Sequence, residues 1–282
     1  MKNYTIQILN IITVITAILV TSCVKTDYVT KADYDLKTNY EVFWKLVNEN
    51  YCFLGDNYGY YKKVGGEKLD WNKVYKEMMP LVEAATTEEE LLDIMGKSID
   101  YLQDGHVWID TKFNHRGCFT FYNIAFPDTT KYPVNFIPNL ISKEILDYSY
   151  RTRNRHIYGT ITRGDKKFFY LHHSDFTKGL TAEDLQMFKP HLDKADGFIY
   201  DIRTNYGGNA QLSFDVAGRF AKEKTLVGYQ AVKSGKGHND ITEPSPIYVI
   251  PSTDGVDWSD IKTVLLTNRD VYSTANMFAS YM

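Results

Sequence analysis

The sequence predicts an α/β fold with a helical N-terminal subdomain, and three observations support this class. Residues 38–104 contain three segments with apolar residues at helical spacing. After about residue 155, short apolar runs typical of strands alternate with amphipathic helical segments. Several of these runs end in polar or glycine-rich turns that lead into a helix. We therefore expect a helical subdomain over 38–104 and an α/β domain over 105–282.

The helical subdomain is delimited by start and stop signals. Capping residues precede the three helices: Thr38 with Glu41, Asp70, and Thr87 with Glu90. The second helix is expected to end near Pro80, because proline removes a helical hydrogen bond. The third is expected to end at Asp104-Gly105, since glycine tolerates the backbone conformation that follows a helix. His106 then lies at the corner between this helix and a strand over 107–109.

The α/β domain is predicted from its buried runs. The expected strands cover 166–171, 197–202, 227–232, 247–250 and 263–266. One helix follows the cap residue Thr181, and another follows the glycine pair Gly207-Gly208. The segment 113–155 is irregular, because prolines interrupt any long element there.

The N-terminus indicates export. Residues 1–22 combine an early lysine with a short, interrupted apolar stretch, which is typical of a signal peptide. Val20-Thr21-Ser22-Cys23 resembles a bacterial lipobox, which implies cleavage before Cys23 and a lipid on its sulfur. An ordinary secretory signal with an incidental Cys23 is the alternative. We expect a polar tether over 23–37 and a lipoprotein anchored to the outer membrane of a bacterial envelope, facing the periplasm or the cell surface.

Composition narrows the function classes. The formal net charge of −3 argues against a polyanion-binding surface, so no nucleic-acid partner is expected. Cys52 and Cys118 can form a disulfide in an oxidising compartment, but one pair is neither a disulfide framework nor a metal site. We expect no cofactor and no metal. The oligomeric state stays open.

Ser273 is the first candidate for chemistry. The strand over 263–266 is followed by a polar turn, and Ser273 then opens a helix. Helix N-termini favour developing negative charge, which suits a nucleophilic serine. The alternative is that Ser273 only caps the helix.

The segment from Asp201 to Asn209 is the second candidate. It follows a buried strand, and open α/β sheets place ligands where strands end. Gly207 and Gly208 allow backbone N–H groups to approach a substrate, as an oxyanion hole requires. The alternative is a plain glycine turn capped by Asp201 and Asn205.

These residues resemble the S41 peptidases, which comprise the C-terminal processing and tricorn-type serine proteases. The resemblance covers roughly residues 38–282. Three motifs carry it in the family's order: Asp-Gly-His ending at His106, Asp-x-Arg-x-Asn-x-Gly-Gly-Asn from Asp201, and Leu-Thr-Asn-Arg-x-x-Ser ending at Ser273. It implies a ClpP/crotonase-like core, a peptide or protein substrate and hydrolysis of peptide bonds through an acyl-enzyme.

The resemblance also assigns roles. Ser273 matches the nucleophile, and His106 matches the general base of the tricorn-type branch. The N–H groups of Gly207 or Gly208, with that of Thr274, match the oxyanion hole. The supporting residues of the turn are Asp201, Arg203 and Asn205. For His106 a surface corner position is the alternative, and the remaining histidines are expected to be surface or packing residues: His115, His156, His172, His173, His191 and His238.

The chain departs from the family's pattern in two places. Asn276 stands where members commonly have glutamate, so any role of that carboxylate is lost. The family's third active-site residue lies downstream of the nucleophile and would fall beyond Met282, so we expect a domain that is incomplete at its C-terminus. The rival hypotheses are a non-catalytic peptide- or glycan-binding envelope lipoprotein on the same scaffold, and an inactive fragment.

Overall fold

The computed structural model describes residues 35–55, 69–111, 114–117, 135–141, 143, 151–153 and 156–282. They fall into two compact units, Met1–Ala125 with Lys233–Ile241, and Phe126–Val232 with Thr242–Met282. The predicted signal peptide, most of the tether, Cys23 and Cys118 lie outside the described residues. Within the described part of the chain, no helix is both long and apolar enough to cross a membrane.

In the first unit, the described residues form three helices and a short hairpin. These elements are α1 (Leu36–Asn50), α2 (Trp71–Ala84), α3 (Glu88–Asp100), β1 (Trp108–Asp110) and β2 (His115–Gly117). The two strands pair in antiparallel fashion. The helices meet around fully buried Tyr40, Trp71, Ile99 and Leu102, whose apolar area supplies the main driving force for packing.

Two helix boundaries differ from the sequence prediction. Asp35, not Thr38, caps α1, because its carboxylate accepts hydrogen bonds from both the N–H and the hydroxyl of Thr38 at 2.9 and 2.6 Å. Helix α2 continues past Pro80 to Ala84. Burial of Val82 against the core offsets the hydrogen bond that the proline removes. The predicted caps at Asp70 and at Thr87 with Glu90 are confirmed.

The second unit is built on a mixed five-stranded sheet. In chain order its elements are α4 (Pro138–Leu140), β3 (Arg151–Arg153), β4 (His156–Arg163), β5 (Lys166–His173), α5 (Ala182–Leu192), β6 (Gly197–Asp201), α6 (Ala210–Ala217), β7 (Thr225–Gln230), β8 (Ser245–Val249), β9 (Thr263–Leu266) and α7 (Thr274–Tyr281). The sheet order is β3-β4-β5-β6-β9, while β7 and β8 form a separate antiparallel pair. The α/β prediction is confirmed.

Strand β4 is the longest described element that was not predicted from the sequence. The short elements β2, β3 and α4 were not predicted either, since they lie in the segment 113–155 that was expected to be irregular. Strand β4 pairs with β5 along its full length, from His156 opposite His173 to Arg163 opposite Lys166. Its threonines, glycine and terminal arginine hide the apolar alternation, and tertiary pairing overrides this weak local signal.

The sheet topology positions the candidate site. Strands β5, β6 and β9 run parallel, so their carboxyl ends at His173, Asp201 and Leu266 lie at one edge of the sheet. The loop leading from each strand begins at that edge. Helix α7 is fixed there by Phe278, which is fully buried with its ring 5.3 Å from Phe176 and 5.5 Å from Tyr200. This is the edge at which open α/β sheets bind ligands.

Candidate active site

A buried ion pair anchors the loop after β6. Asp201 is fully buried at the end of the strand, and its carboxylate accepts from the Arg203 guanidinium at 2.6 Å and from the Tyr170 hydroxyl at 2.7 Å. The hydrogen bonds that the Arg203 guanidinium donates to Asp201 raise the pKa of the guanidinium, so it stays a cation. Burial raises the pKa of Tyr170, with the Asp201 charge acting in the same direction. The Asp201–Arg203 ion pair thus fixes the start of the loop to the end of β6.

Asn205 joins all three loops at this edge of the sheet. Its side-chain amide donates to the His173 carbonyl at the end of β5 at 2.9 Å. The amide oxygen accepts from the Gly207 N–H at 2.9 Å, and the Asn205 carbonyl accepts from the Tyr272 N–H at 3.1 Å. Asn205 is fully buried, so the loss of any of these bonds would leave a costly unpaired group. Asp201 likewise accepts from the Arg203 N–H at 2.9 Å. The capping hydrogen bonds expected of a plain glycine turn are therefore present at both Asp201 and Asn205.

The glycine pair lies directly against Ser273. A Cβ atom on Gly207 would lie 2.9 Å from the Ser273 Cβ and 2.9 Å from the Thr274 nitrogen. A Cβ atom on Gly208 would lie 2.4 Å from the carbonyl carbon of Phe176. Gly207 also has φ +98° and Gly208 φ +141°, conformations that favour glycine. No larger residue fits this turn without displacing the serine or its neighbours.

Ser273 has a strained backbone. It lies at φ 53° and ψ −126°, outside the regions that residues other than glycine normally populate. Although it precedes α7, its side chain makes no capping hydrogen bond to the helix. The helix-capping alternative is therefore not supported. A strained serine on a sharp strand-to-helix turn is the arrangement that presents a nucleophile in other hydrolase folds.

The hydrogen bonds around the glycine pair distinguish the two N–H groups that the sequence offered as candidate oxyanion donors. The Gly207 N–H donates to Asn205, the Gly207 carbonyl accepts from the Phe176 N–H at 2.8 Å, and the Gly208 carbonyl accepts from the Thr274 hydroxyl at 2.8 Å. A trans peptide directs its C=O and N–H to opposite sides, so the bond to Phe176 fixes the direction of the Gly208 N–H. Gly208 is exposed, and no described residue accepts from this N–H.

Thr274 offers a second backbone donor beside the first. It is the first residue of α7, and a helix leaves its initial N–H groups without an intrahelical acceptor. The serine and the two backbone N–H groups together have the composition of an acyl-transfer site. Asn276, the third residue of the same helix, is exposed.

His106 belongs to the first unit and Ser273 to the second. The His106 side chain is 54% exposed at the corner between α3 and β1. Its backbone N–H donates to the Asp104 carboxylate at 2.9 Å, and its Nδ1 lies 3.3 Å from the same oxygen. The pairing of His106 with Ser273 stays a prediction. The contact between Asp104 and His106 was not predicted, although the two residues are only two positions apart in the sequence.

Three of the remaining histidines are core residues, not surface ones. His156, His172 and His173 are at most 3% exposed, on β4 and β5. Burial lowers the pKa of all three, that of His173 to about 3, so they are neutral at physiological pH. Among the described residues, no group of three or more His, Cys, Asp or Glu side chains is arranged to hold a metal ion.

Comparisons with known proteins agree with this geometry. The family model for peptidase family S41 matches residues 167–282, and the model for the Tricorn protease C1 domain matches residues 33–99. A crystal structure from Parabacteroides merdae, described as a candidate peptidase, is 30% identical with a TM-score of 0.72. The match covers 89% of this chain and 72% of that one. A search of curated proteins finds no match.

More distant structures share the fold. Mature CPAF is 9% identical with a TM-score of 0.55, and the match covers 87% of this chain and 80% of that one. The family model and the structure from Parabacteroides merdae identify the chain as a peptidase. The chain belongs to peptidase family S41.

Proposed function

We propose that this S41 peptidase is a serine endopeptidase that cleaves peptide bonds through an acyl-enzyme on Ser273. The observation that carries the proposal is the strained backbone of Ser273 beside Gly207, with Gly208 exposed at the same turn. Strain of this kind costs about 1–3 kcal/mol and persists only where the surrounding structure enforces it. A residue that only caps a helix has no need of it.

In the first half of the proposed reaction, the Ser273 Oγ attacks the carbonyl carbon of the substrate while its proton passes to His106. The carbonyl electrons move to the oxygen, which accepts hydrogen bonds from the N–H groups of Gly208 and Thr274. Each such donor is worth about 10²–10³ in rate. The carbonyl then re-forms as the C–N bond breaks, and His106 gives its proton to the departing amine.

In the second half, water attacks the Ser273 ester. His106 takes a proton from the water, and the same two N–H groups hold the second oxyanion. Collapse breaks the ester bond, releases the carboxylic acid product and returns the proton to the Ser273 Oγ. His106 is assigned the role of base from its motif, because a neutral imidazole has a nitrogen that can accept a proton and return it.

We further propose that the protein acts at the bacterial envelope as a lipoprotein. The support is the sequence alone: residues 1–22 have the pattern of a signal peptide, and Cys23 follows a lipobox-like tripeptide. Metabolic labelling with an alkynyl fatty acid tests this proposal. Incorporation that is lost in Cys23→Ala supports it, and equal incorporation in that variant contradicts it.

Turnover of a fluorogenic peptide library tests the catalytic proposal. We expect cleavage by the wild-type chain, and a fall of at least about 10³-fold in both Ser273→Ala and His106→Ala. Ser280→Ala is the matched control, because Ser280 lies on the same helix with its hydroxyl bonded to the Met277 carbonyl. Loss of activity in Ser280→Ala, or its retention in Ser273→Ala, would contradict the assignment.

A further inference from the structure

Asp104, two positions before His106, contacts both the backbone and the ring of this histidine. The Asp104 Oδ1 accepts from the His106 backbone N–H at 2.9 Å and lies 3.3 Å from the His106 Nδ1. The Val107 N–H donates to the Asp104 carbonyl at 3.1 Å. The main chain of the corner and the imidazole ring therefore share one carboxylate oxygen.

Asp104 is itself held in place by a third residue. Its other oxygen, Oδ2, accepts from the Tyr51 hydroxyl at 2.8 Å. Tyr51 ends α1, where its N–H donates to the Val47 carbonyl at 2.9 Å. The Asp104 side chain is only 13% exposed, against 54% for His106. A tyrosine fixed to one helix thus directs a largely buried carboxylate at a largely exposed imidazole.

This arrangement has a chemical consequence for the ring. A carboxylate can only accept hydrogen bonds, so it favours the tautomer of neutral His106 with the proton on Nδ1. The lone pair then lies on Nε2, the nitrogen that a general base uses when its other nitrogen is oriented by an acid.

We propose that Asp104, held by Tyr51, is the positioning residue that fixes the tautomer and orientation of His106. The inference rests on the proposed function, in which His106 is the base. It places an orienting carboxylate two residues before the histidine in sequence, upstream of the nucleophile.

The first unit also contains a matched control pair. His115 Nδ1 lies 2.7 Å from the Asp110 Oδ1, so the same two residue types are in contact. Both of these side chains are 65% exposed, and neither is assigned a part in the reaction. A role that belongs specifically to Asp104 must be absent at Asp110.

The test compares Asp104→Asn, Tyr51→Phe and Asp110→Asn with the wild type. The readouts are peptide turnover and the tautomers of His106 and His115 from their ring ¹⁵N chemical shifts. In Asp104→Asn we expect kcat to fall at least about tenfold with KM within about twofold, because orientation of the base affects the reaction step. His106 should lose its Nδ1–H preference. Tyr51→Phe should change both readouts in the same direction but less, and Asp110→Asn should change neither for His106.

Each outcome has a distinct meaning. Wild-type activity with an unchanged kcat and His106 tautomer in Asp104→Asn overturns the positioning role alone. A wild-type chain without activity overturns the proposed function, and this inference with it. If Asp104→Asn does not fold, as judged by circular dichroism, the folded Tyr51→Phe variant decides: an unchanged kcat and tautomer there overturn the inference.

Discussion

The strained backbone at position 273 predicts that the protein is more stable with glycine there than with alanine. Alanine keeps a Cβ atom and therefore keeps the cost of φ 53° and ψ −126°, which is about 1–3 kcal/mol. Glycine releases this cost but loses about 0.5–1 kcal/mol of backbone entropy on folding. We therefore expect Ser273→Gly to unfold with a free energy about 1 kcal/mol above that of Ser273→Ala.

Urea unfolding of the two variants measures this difference. Asn209 provides the control, because it also precedes a helix but has an ordinary φ of −80°. Comparing Asn209→Gly with Asn209→Ala gives the glycine effect at an unstrained helix start. The excess at position 273 over position 209 is the strain. A free energy for Ser273→Ala equal to or above that for Ser273→Gly would refute a strained backbone at the nucleophile.

Three further predictions follow from the same geometry. Gly207→Ala should lower the free energy of unfolding by at least about 1 kcal/mol, because its Cβ would lie 2.9 Å from that of Ser273. The same clash should slow the labelling of Ser273 by a fluorophosphonate. Urea unfolding measures the first effect and the labelling rate measures the second. Arg203→Ala should cost about 3 kcal/mol in urea unfolding, because it leaves Asp201 buried without its cation, whereas an unchanged midpoint would contradict the anchoring role. His173 should destabilise the protein in acid, because its pKa is lowered to about 3 in the fold while an ordinary histidine has a pKa of about 6.5. The free energy of unfolding should therefore be constant above about pH 7.5 and fall by about 2 kcal/mol between pH 7.5 and 5. His173→Phe should reduce that pH dependence, and an unreduced dependence would argue against its burial as the cause.

Sequence reasoning worked where local signals and tertiary structure agree. Strand β9 has the predicted bounds of 263–266, because its apolar run is bounded by polar residues on both sides. The caps at Thr87 and Thr181 follow from side-chain hydrogen bonds made within a few residues. Strand β4 was missed because its pairing partner, β5, decides its conformation.

In the candidate site, too, the sequence indicated the local features but not those that depend on tertiary contacts. The motifs located Ser273 and the glycine turn, but they did not distinguish Gly207 from Gly208. That choice depends on the bond from the Gly207 N–H to Asn205 and on the Phe176 contact, which come from other loops. The buried state of His173 was equally hidden, since a histidine pair in the sequence carries no sign of the sheet that covers it.

The residue that a fluorophosphonate modifies would identify the nucleophile of this protein. The reagent phosphonylates an activated serine, and digestion with tandem mass spectrometry identifies the residue. We expect one adduct, on Ser273, that is absent in Ser273→Ala and strongly reduced in His106→Ala. A folded wild-type chain that forms no adduct, or that is modified on a different serine, would contradict the claim that Ser273 is the nucleophile.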